Sequence, residues 1–337
     1  MAPPELVDVP ELHALTAPGR DDELGAAAGR PLVLVHLDDD DPAALGGWTP
    51  GARPVVVVGV TPATAPTPPP ADHPCDIVIG RDDPLLPAVI EAVTRHPLAA
   101  TAGAILLRHA LTRDVEHGLA AESATYSMLQ TGPEFTSWRH ARSPSTIPPE
   151  PDAIVVTRDA DTLTITLNRP ARHNALDRNL RDRLAEALTL AALDDSVTNV
   201  VLRGNGPSFC SGGDLDEFGS FPDPATAHAS RLTRSPARLA HRLRSRLHVH
   251  LHGACMGAGI EIPAFACDIT ATSDTRIALP ELAAGLVPGA GGTVSIPRRI
   301  GRHRTTLLAL SGTRLDAHAA HTWGLIDHVT NEQKPAS

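Results

Sequence analysis

The segment from Gly253 to Glu261 reads GACMGAGIE and directly follows a short stretch, His248 to His252, that predicts a strand. A glycine-rich turn between a strand and a helix allows backbone N–H groups to point at a ligand near the positive end of the helix. The segment therefore predicts an α/β fold with a ligand site at this turn.

Two further segments have the same character. Phe209 to Asp214 reads FCSGGD and follows a predicted strand at Asn199 to Arg203, and Leu279 to Thr293 contains Pro280-Glu281 and then PGAGGT. Taken singly, a glycine turn after a strand is more often only a tight turn. Two such turns that face each other can supply two N–H donors to one developing oxyanion.

The rest of the carboxyl-terminal half supports this fold class. It predicts a hairpin from Ala153 to Thr157 and Thr162 to Leu167, a helix from Asp177 to Leu193 and an arginine-rich helix near Ala229 to Leu247. Strands that alternate with helices are typical of an α/β domain with largely parallel pairing.

The amino-terminal half predicts three buried strands and two helices. The strands are Pro31 to Leu37, Pro54 to Val60 and Asp76 to Ile79, and the helices are Leu85 to Ala110 and Val115 to Ala141. Spacings of three and four place one set of residues on a single face of the second helix. They are Leu119, Glu122, Ser123, Tyr126, Leu129 and Gln130.

Two proline-rich stretches, Thr61 to Pro74 and Ser143 to Pro151, interrupt the pattern. Proline fixes φ and lacks an N–H donor, so neither stretch continues a helix or a central strand. We interpret the second as a linker, which divides the 337 residues into segments 1–150 and 151–337.

Composition excludes several classes of protein. The chain has 29 basic and 39 acidic side chains, a net charge of −10, and Lys334 is its only lysine. Schiff-base enzymes, pyridoxal-phosphate enzymes and P-loop NTPases need a lysine inside a folded site, and Lys334 lies beside the terminus. An acidic chain with 3% aromatic residues is also a poor candidate for binding nucleic acid.

The cysteines and histidines predict no metal centre and no disulfide. The cysteines are Cys75, Cys210, Cys255 and Cys267, with no CxxC pair. His248, His250 and His252 have no partner spacing typical of metal ligands. With no signal-peptide pattern, and apolar runs too short to span a bilayer, we expect reduced thiols in a cytoplasmic protein that has no membrane partner.

The order and spacing of the motifs resemble those of the crotonase, or enoyl-CoA hydratase/isomerase, superfamily. Asn168-Arg169-Pro170 with Asn174-Ala175-Leu176 is similar to the family's opening signature. Phe209 to Leu215 and Gly253 to Asp268 resemble its two oxyanion loops, and Pro280 to Thr293 resembles its PE…PGAGGT segment. The resemblance covers about Ala153 to Thr330 and implies the crotonase fold of repeated ββα units.

The resemblance also implies site residues. The oxyanion hole falls on the backbone N–H groups of Cys210 and Ala258, where many relatives have glycine at the second position. Residues implied to contact the CoA moiety are Arg169, Arg172, Ala175, Ser211, Gly212, Gly213, Asp214 and Gly257. Arginines between Arg231 and Arg246, and those from Arg298 to Arg304, are weaker candidates for the CoA phosphates, since a solvated helix face explains most of them.

Glu261 and Glu281, twenty residues apart, match the pair of glutamates with which the hydratases of the family work. Two carboxyl groups around one water can divide acid and base roles between them. Each glutamate has a simpler explanation as a residue that stabilises a helix end.

The resemblance implies an enzyme that hydrates a 2-enoyl-CoA thioester, in reactions such as those of fatty acid metabolism, without a cofactor other than the CoA of its substrate, as a homotrimer or hexamer. The alternatives are double-bond isomerisation with Glu281 as the main base, hydrolysis or C–C cleavage of another thioester, and a non-catalytic subunit that binds CoA.

The chain departs from the family at both ends. Family members continue for about 60 residues past the motif that resembles Trp323 to Asp327, with helices that cover the acyl site and form trimers, whereas this sequence stops at Ser337. Leu85 to Arg142 resembles those helices moved to the amino terminus. We therefore expect it to be a permuted lid and oligomerisation element; the strands before Pro84 receive no role.

Overall fold

The amino-terminal strands form one parallel sheet. They are β1 (Leu6–Val7), β2 (Leu32–His36), β3 (Val56–Thr61) and β4 (Ile77–Gly80), side by side in that order. The computed structural model that shows them describes residues 6–38, 45–62, 69–143 and 152–331. All three predicted strands are confirmed, and β1 is an addition that pairs with β2.

Helix α1 (Val9–Leu15) follows β1, and four helices follow β4. These are α2 (Leu85–Arg95), α3 (Pro97–Arg108), α4 (Val115–Leu129) and α5 (Pro133–His140). The prediction of two long helices is wrong, because each is broken at a proline. His96 and Gly132, the residues before Pro97 and Pro133, leave the helical region, as the following proline ring favours.

The carboxyl-terminal half contains a six-stranded sheet in the order β13-β10-β8-β7-β6-β5. Its strands are β5 (Ile154–Asp159), β6 (Thr162–Leu167), β7 (Asn199–Gly204), β8 (Leu247–Leu251), β10 (Asp268–Thr272) and β13 (His328–Thr330). Only the predicted β5–β6 hairpin is antiparallel. This sheet confirms the mixed α/β class.

A smaller sheet packs beside it, in the order β12-β11-β9. Its strands are β9 (Ala254–Met256), β11 (Arg276–Ala278) and β12 (Leu315–Asp316). The helices of this half are α6 (Arg178–Leu193), α7 (Pro224–Thr233), α8 (Pro236–Arg242), α9 (Ala258–Glu261), α10 (Gly292–Ser311) and α11 (Ala317–Trp323). The single helix predicted near Ala229 to Leu247 is thus two, because Ser235 caps a new helix at Pro236.

The two halves share one hydrophobic core. Leu282, Leu286 and Val287, which flank the PGAGGT loop, lie in the same buried cluster as the front sheet and α2 to α5. Arg298 adds polar contacts, because its guanidinium donates to the carbonyls of Ala110 at 3.2 Å and Arg113 at 2.8 Å. The predicted linker lies outside the described residues from position 144 onward.

Arg302 is an internal residue of the structure, whereas Arg298 remains exposed. Arg302 is buried and donates to the carbonyls of His73 and of Cys75. Both earlier interpretations, a solvated helix face and a contact with CoA phosphates, are wrong for Arg302, whereas Arg298 is exposed as a solvated face requires. In the part of the chain that the structure describes, no helix is both long enough and apolar enough to cross a bilayer.

Candidate active site

The two glycine-rich turns face each other and are joined by backbone hydrogen bonds. Cys210 donates its N–H to the carbonyl of Ala254 at 3.1 Å, and Met256 donates to the carbonyl of Cys210 at 3.0 Å. Gly259 packs so closely on Cys210 that a methyl group on its Cα would collide with the Cys210 carbonyl. The expected role of Cys210 as an oxyanion donor is therefore wrong, because its N–H is used to pair the turns.

Two other N–H groups remain available. Those of Gly213 and Ala258 have no backbone acceptor outside regular secondary structure among the described residues, and both residues line one cavity. Ala258 is the first residue of α9, where backbone N–H groups lack partners inside the helix. Its φ is not positive, since the positive φ of 49° falls on Gly257, so alanine fits at this position.

Glu261 is held at the amino-terminal end of α10. It is 1% exposed, and its Oε2 accepts the N–H groups of Ala290 at 2.7 Å and Gly292 at 2.9 Å. Burial raises the pKa of Glu261 well above its usual value, and the charges of Glu281 and Glu122 add to this, while the two N–H donors oppose it. The Oε1 of Glu261 accepts neither of these two N–H groups.

Glu281 approaches Glu261 across Gly257. A methyl group on Gly257 would collide with Oε1 of Glu281 and would lie 3.5 Å from Oε1 of Glu261, so both oxygens border the same small space. The Oε2 of Glu281 is buried without a hydrogen-bond partner among the described residues. Burial raises the pKa of Glu281 to about 8, and the charge of Glu122 adds to the shift.

A third glutamate comes from the amino-terminal half. Glu122 on α4 is 2% exposed; its Oε1 accepts the N–H of Gly291 at 2.7 Å, and its Oε2 accepts the N–H and Oγ1–H of Thr293 at 2.9 and 2.7 Å. Burial raises the pKa of Glu122 to about 7, and the bonds from Thr293 and Gly291 limit the shift. Sequence reasoning placed Glu122 on one helix face but gave it no role, although a glutamate among apolar residues was the available signal.

The arginine expected to bind CoA is an internal residue. Arg169 is 4% exposed and pairs with Asp177 at 3.0 Å and Asp214 at 3.4 Å. Its guanidinium is therefore not available to phosphates, which corrects that expectation. Arg172 is half-buried and pairs with Asp214 at 2.9 Å and Asp216 at 2.7 Å, and together these arginines hold the loop that carries Gly213.

One cavity of about 170 Å³ connects these groups. It contains Glu122, Glu261 and Glu281 and is walled by residues of α4, α7 and the two turns. Of the residues expected to contact CoA, only Gly213 and Asp214 line it, whereas Ala175, Ser211, Gly212 and Gly257 support the surrounding loops.

Among the described residues, neither thiols nor metal ligands form a second candidate site. Burial raises the pKa of the Cys210 thiol to about 12, so it stays protonated, and all four cysteines are free. Within the described ranges, no three His, Cys, Asp or Glu side chains are arranged to hold a metal ion.

Comparison with known proteins decides the family. A sequence model described as enoyl-CoA hydratase/isomerase matches residues 157–335, which is more than half of the chain. The chain belongs to the enoyl-CoA hydratase/isomerase family. The crotonase resemblance is thereby confirmed, and with it the crotonase fold class.

Individual relatives catalyse different reactions. The 2,3-dehydroadipyl-CoA hydratase of Escherichia coli K12 is 36% identical over 177 residues, which are 52% of this chain and 68% of that protein. The 1,2-epoxyphenylacetyl-CoA isomerase of the same organism is 32% identical, over 51% of this chain and 67% of that protein. The solved enoyl-CoA hydratase of Thermoplasma volcanium is 34% identical, over 53% of this chain and 72% of that chain, with a TM-score of 0.49.

The space at Gly257 gives a first prediction. Gly257→Ala places a methyl group against Oε1 of Glu281 and forces a positive φ on alanine, so we expect displacement of Glu281 and a loss of stability above the ~1–2 kcal/mol of the φ alone. Gly312→Ala is the control, because Gly312 also has a positive φ but nothing within 4 Å of its added methyl. Urea unfolding of both variants measures the difference, and equal losses would contradict the proposed crowding.

The raised pKa of Glu281 gives a second prediction. A carboxyl whose pKa is 4.5 when unfolded and about 8 when folded binds more protons in the native state, so its contribution to stability is lost as the pH rises between these values. We therefore expect Glu281→Gln to gain stability relative to the original protein as the pH increases from about 5 to about 9. Parallel stability curves from urea titrations over that range would contradict the shift.

Proposed function

We propose that this protein adds water to the double bond of a 2-enoyl-CoA thioester and forms a 3-hydroxyacyl-CoA. The observation that carries the proposal is the approach of Glu261 and Glu281 to one space beside Gly257, in a cavity lined by two N–H groups without a backbone acceptor outside regular secondary structure among the described residues. This combination supplies a base, an acid and an oxyanion site in one cavity.

The thioester oxygen is placed at the N–H groups of Gly213 and Ala258. As water attacks Cβ, negative charge develops on this oxygen, and donors already aimed at it stabilise the enolate by roughly 2.7–4 kcal/mol each. Gly213 replaces Cys210 in this role because the structure leaves the Gly213 N–H without a backbone acceptor.

The two glutamates divide the proton transfers. We assign the base role to Glu261, which accepts a proton from the attacking water: burial raises its pKa, but two amide donors at the positive end of α10 stabilise the ionised form that this role needs. Glu281 has an unpartnered Oε2 and a pKa of about 8, so it holds the proton that goes to Cα. The π bond between Cα and Cβ, one O–H bond of water and the O–H bond of Glu281 are broken; an O–C bond forms at Cβ, a C–H bond forms at Cα, and Glu261 gains the proton of water. That proton returns to Glu281 before the next turnover.

The CoA moiety lies at the rim of the cavity, where Arg178 is exposed and its guanidinium stacks 4.6 Å above the ring of Phe221. This arginine supplies the positive charge for phosphates that Arg169 cannot supply. The lid function of the front segment, the trimer or hexamer, the cytoplasmic location and the absence of a further cofactor stay predictions.

A third prediction tests the reaction and its closest alternative. We expect Glu261→Gln and Glu281→Gln each to lower kcat for hydration of 2-enoyl-CoA substrates by about 10²–10⁴-fold, with little change in thioester affinity. Glu186→Gln, on an exposed position of α6, is the matched control and should keep full activity. The measurement is loss of the enoyl-thioester absorbance, with products identified by mass spectrometry.

Two outcomes would reject hydration. Conversion of 3-enoyl-CoA to 2-enoyl-CoA that survives Glu261→Gln but not Glu281→Gln would assign double-bond isomerisation. Thioester binding without turnover of any enoyl-CoA would assign the non-catalytic subunit.

A further inference from the structure

The amino-terminal half contributes a charged group to the site at a point where family membership assigns nothing. Four consecutive N–H groups, from Ala290 two residues before α10 to Thr293 in its first turn, alternate between two carboxylates. Ala290 and Gly292 donate to Glu261, whereas Gly291 and Thr293 donate to Glu122. Glu122 lies outside residues 157–335, the range that matches the family.

We propose that Glu122 is a positioning residue for the reaction. Neither carboxylate accepts from all four of these N–H groups: each accepts from two, and the two glutamates come from different elements, α9 and α4. Glu122 fixes the two that Glu261 does not use, and it thereby fixes the direction of the two that Glu261 does use. A loop held on one side only would leave Oε1 of Glu261 free to move away from Glu281.

Glu122 also acts through its charge. It is buried with Glu261 and Glu281 in one cavity, and like charges in a buried site raise each other's pKa. Removing this charge should lower the pKa of Glu281 and make it a proton donor over a narrower range of pH. This proposal rests on the proposed acid role of Glu281.

Glu122→Gln tests both effects, and Glu134→Gln is its matched control. Glu134 on α5 also accepts two backbone N–H groups, from Leu98 at 2.7 Å and Ala99 at 3.1 Å, but it does not line the cavity. We expect Glu122→Gln to lower kcat by about 10²-fold and to move the alkaline limb of the kcat profile to lower pH. Glu134→Gln should lower stability without moving that limb.

An unchanged pH profile in Glu122→Gln, or equal effects of both substitutions on kcat, would overturn the proposal. If Glu122→Gln does not fold, Thr293→Val removes one of the three donors to Glu122 and should produce a smaller change in kcat. Titration of the glutamate carboxyl groups by 13C NMR tests the charge effect even if the enzyme hydrates no substrate. The pKa of Glu281 must fall in Glu122→Gln and must stay unchanged in Glu134→Gln.

A different observation concerns the acyl end of the same cavity. Arg231 on α7 is half-buried, and its hydrogen bonds go to neutral groups. Its Nε donates to Ser123 Oγ at 3.1 Å, and its Nη2 donates to Ser127 Oγ. The guanidinium lies 4.8 Å above the ring of Tyr126. Among the described residues it forms no ion pair, and its Nη1 has no hydrogen-bond partner. By contrast, Arg181 and Arg234 on the same cavity both pair with Asp182.

The position of Arg231 connects it to the reacting groups. The Tyr126 ring beneath it packs against Gly289, the residue before the loop that holds Glu261. Glu122 attracts the Arg231 guanidinium but forms no ion pair with it among the described residues, so an anion at Nη1 gains a direct charged contact. The geometry points to a substrate whose acyl group ends in a carboxylate, bound by Nη1 of Arg231; the assignment rests on the proposed acyl-CoA function.

Arg231→Met tests this subsite because methionine keeps the apolar length and removes the charge. For two enoyl-CoA substrates of equal length, ending in a methyl group or a carboxylate, the ratio of kcat/KM values should favour the carboxylate and fall about 10–100-fold in the variant. Ser127→Ala, which keeps the charge, should lower the ratio much less. If no hydration occurs, calorimetry provides the test: it compares the affinities of the two corresponding saturated acyl-CoA compounds, one ending in a methyl group and one in a carboxylate.

An unchanged ratio would overturn the subsite. An equal loss of affinity for both thioesters and for free CoA would show instead that Arg231 binds a CoA phosphate. Hydration of the methyl-ended substrate with no preference for the carboxylate would reject the subsite and leave the proposed reaction intact.

Discussion

The first turn of α10 imposes the main constraint on this structure. Its N–H groups, from Ala290 to Thr293, have no acceptors within the helix, and burial denies them water. Carboxylates satisfy them best, since they accept several bonds and their charge is favoured at the positive end of a helix. One carboxylate comes from α9 and the other from α4, so the helix end joins the two halves of the chain at the site.

This arrangement explains why the carboxyl groups have raised pKa values in spite of their donors. Three buried carboxyl groups share one cavity, and the loss of hydration disfavours the charge of each. Amide donors compensate Glu122 and Glu261, whereas Oε2 of Glu281 has no such partner. The three carboxyl groups therefore differ in their hydrogen bonds although their chemistry is identical, and the cost of burying them appears as stability lost with rising pH.

Sequence patterns were sufficient to predict most strands and helices, but they were not sufficient to predict the contacts between them. The β-branched runs predicted three of the four front strands, and motif spacing selected Glu261 and Glu281, whose carboxyl groups border one space. Proline chemistry was sufficient to predict the helix breaks at Pro97 and Pro133. We predicted unbroken helices because the apolar periodicity continues across both prolines. Cys210 and Arg169 were misassigned because a motif does not show which N–H already has an acceptor or which guanidinium is buried. Glu122 was missed because its partners lie about 170 residues away along the chain.

Because Lys334 is the only lysine, the other basic side chains counted in the net charge are arginines, and several of them have structural roles. Arg108, for example, donates to the carbonyls of Arg53 and Gly51 and also pairs with Asp76, so one planar group joins several segments of the front sheet. Arg298 and Arg302 make the corresponding contacts between α10 and the front half. A lysine has one nitrogen and could not connect as many carbonyls at fixed angles. Because these contacts and the shared hydrophobic cluster tie the front half to the helix whose amino-terminal end binds Glu261, the folded unit around the candidate site extends beyond residues 157–335.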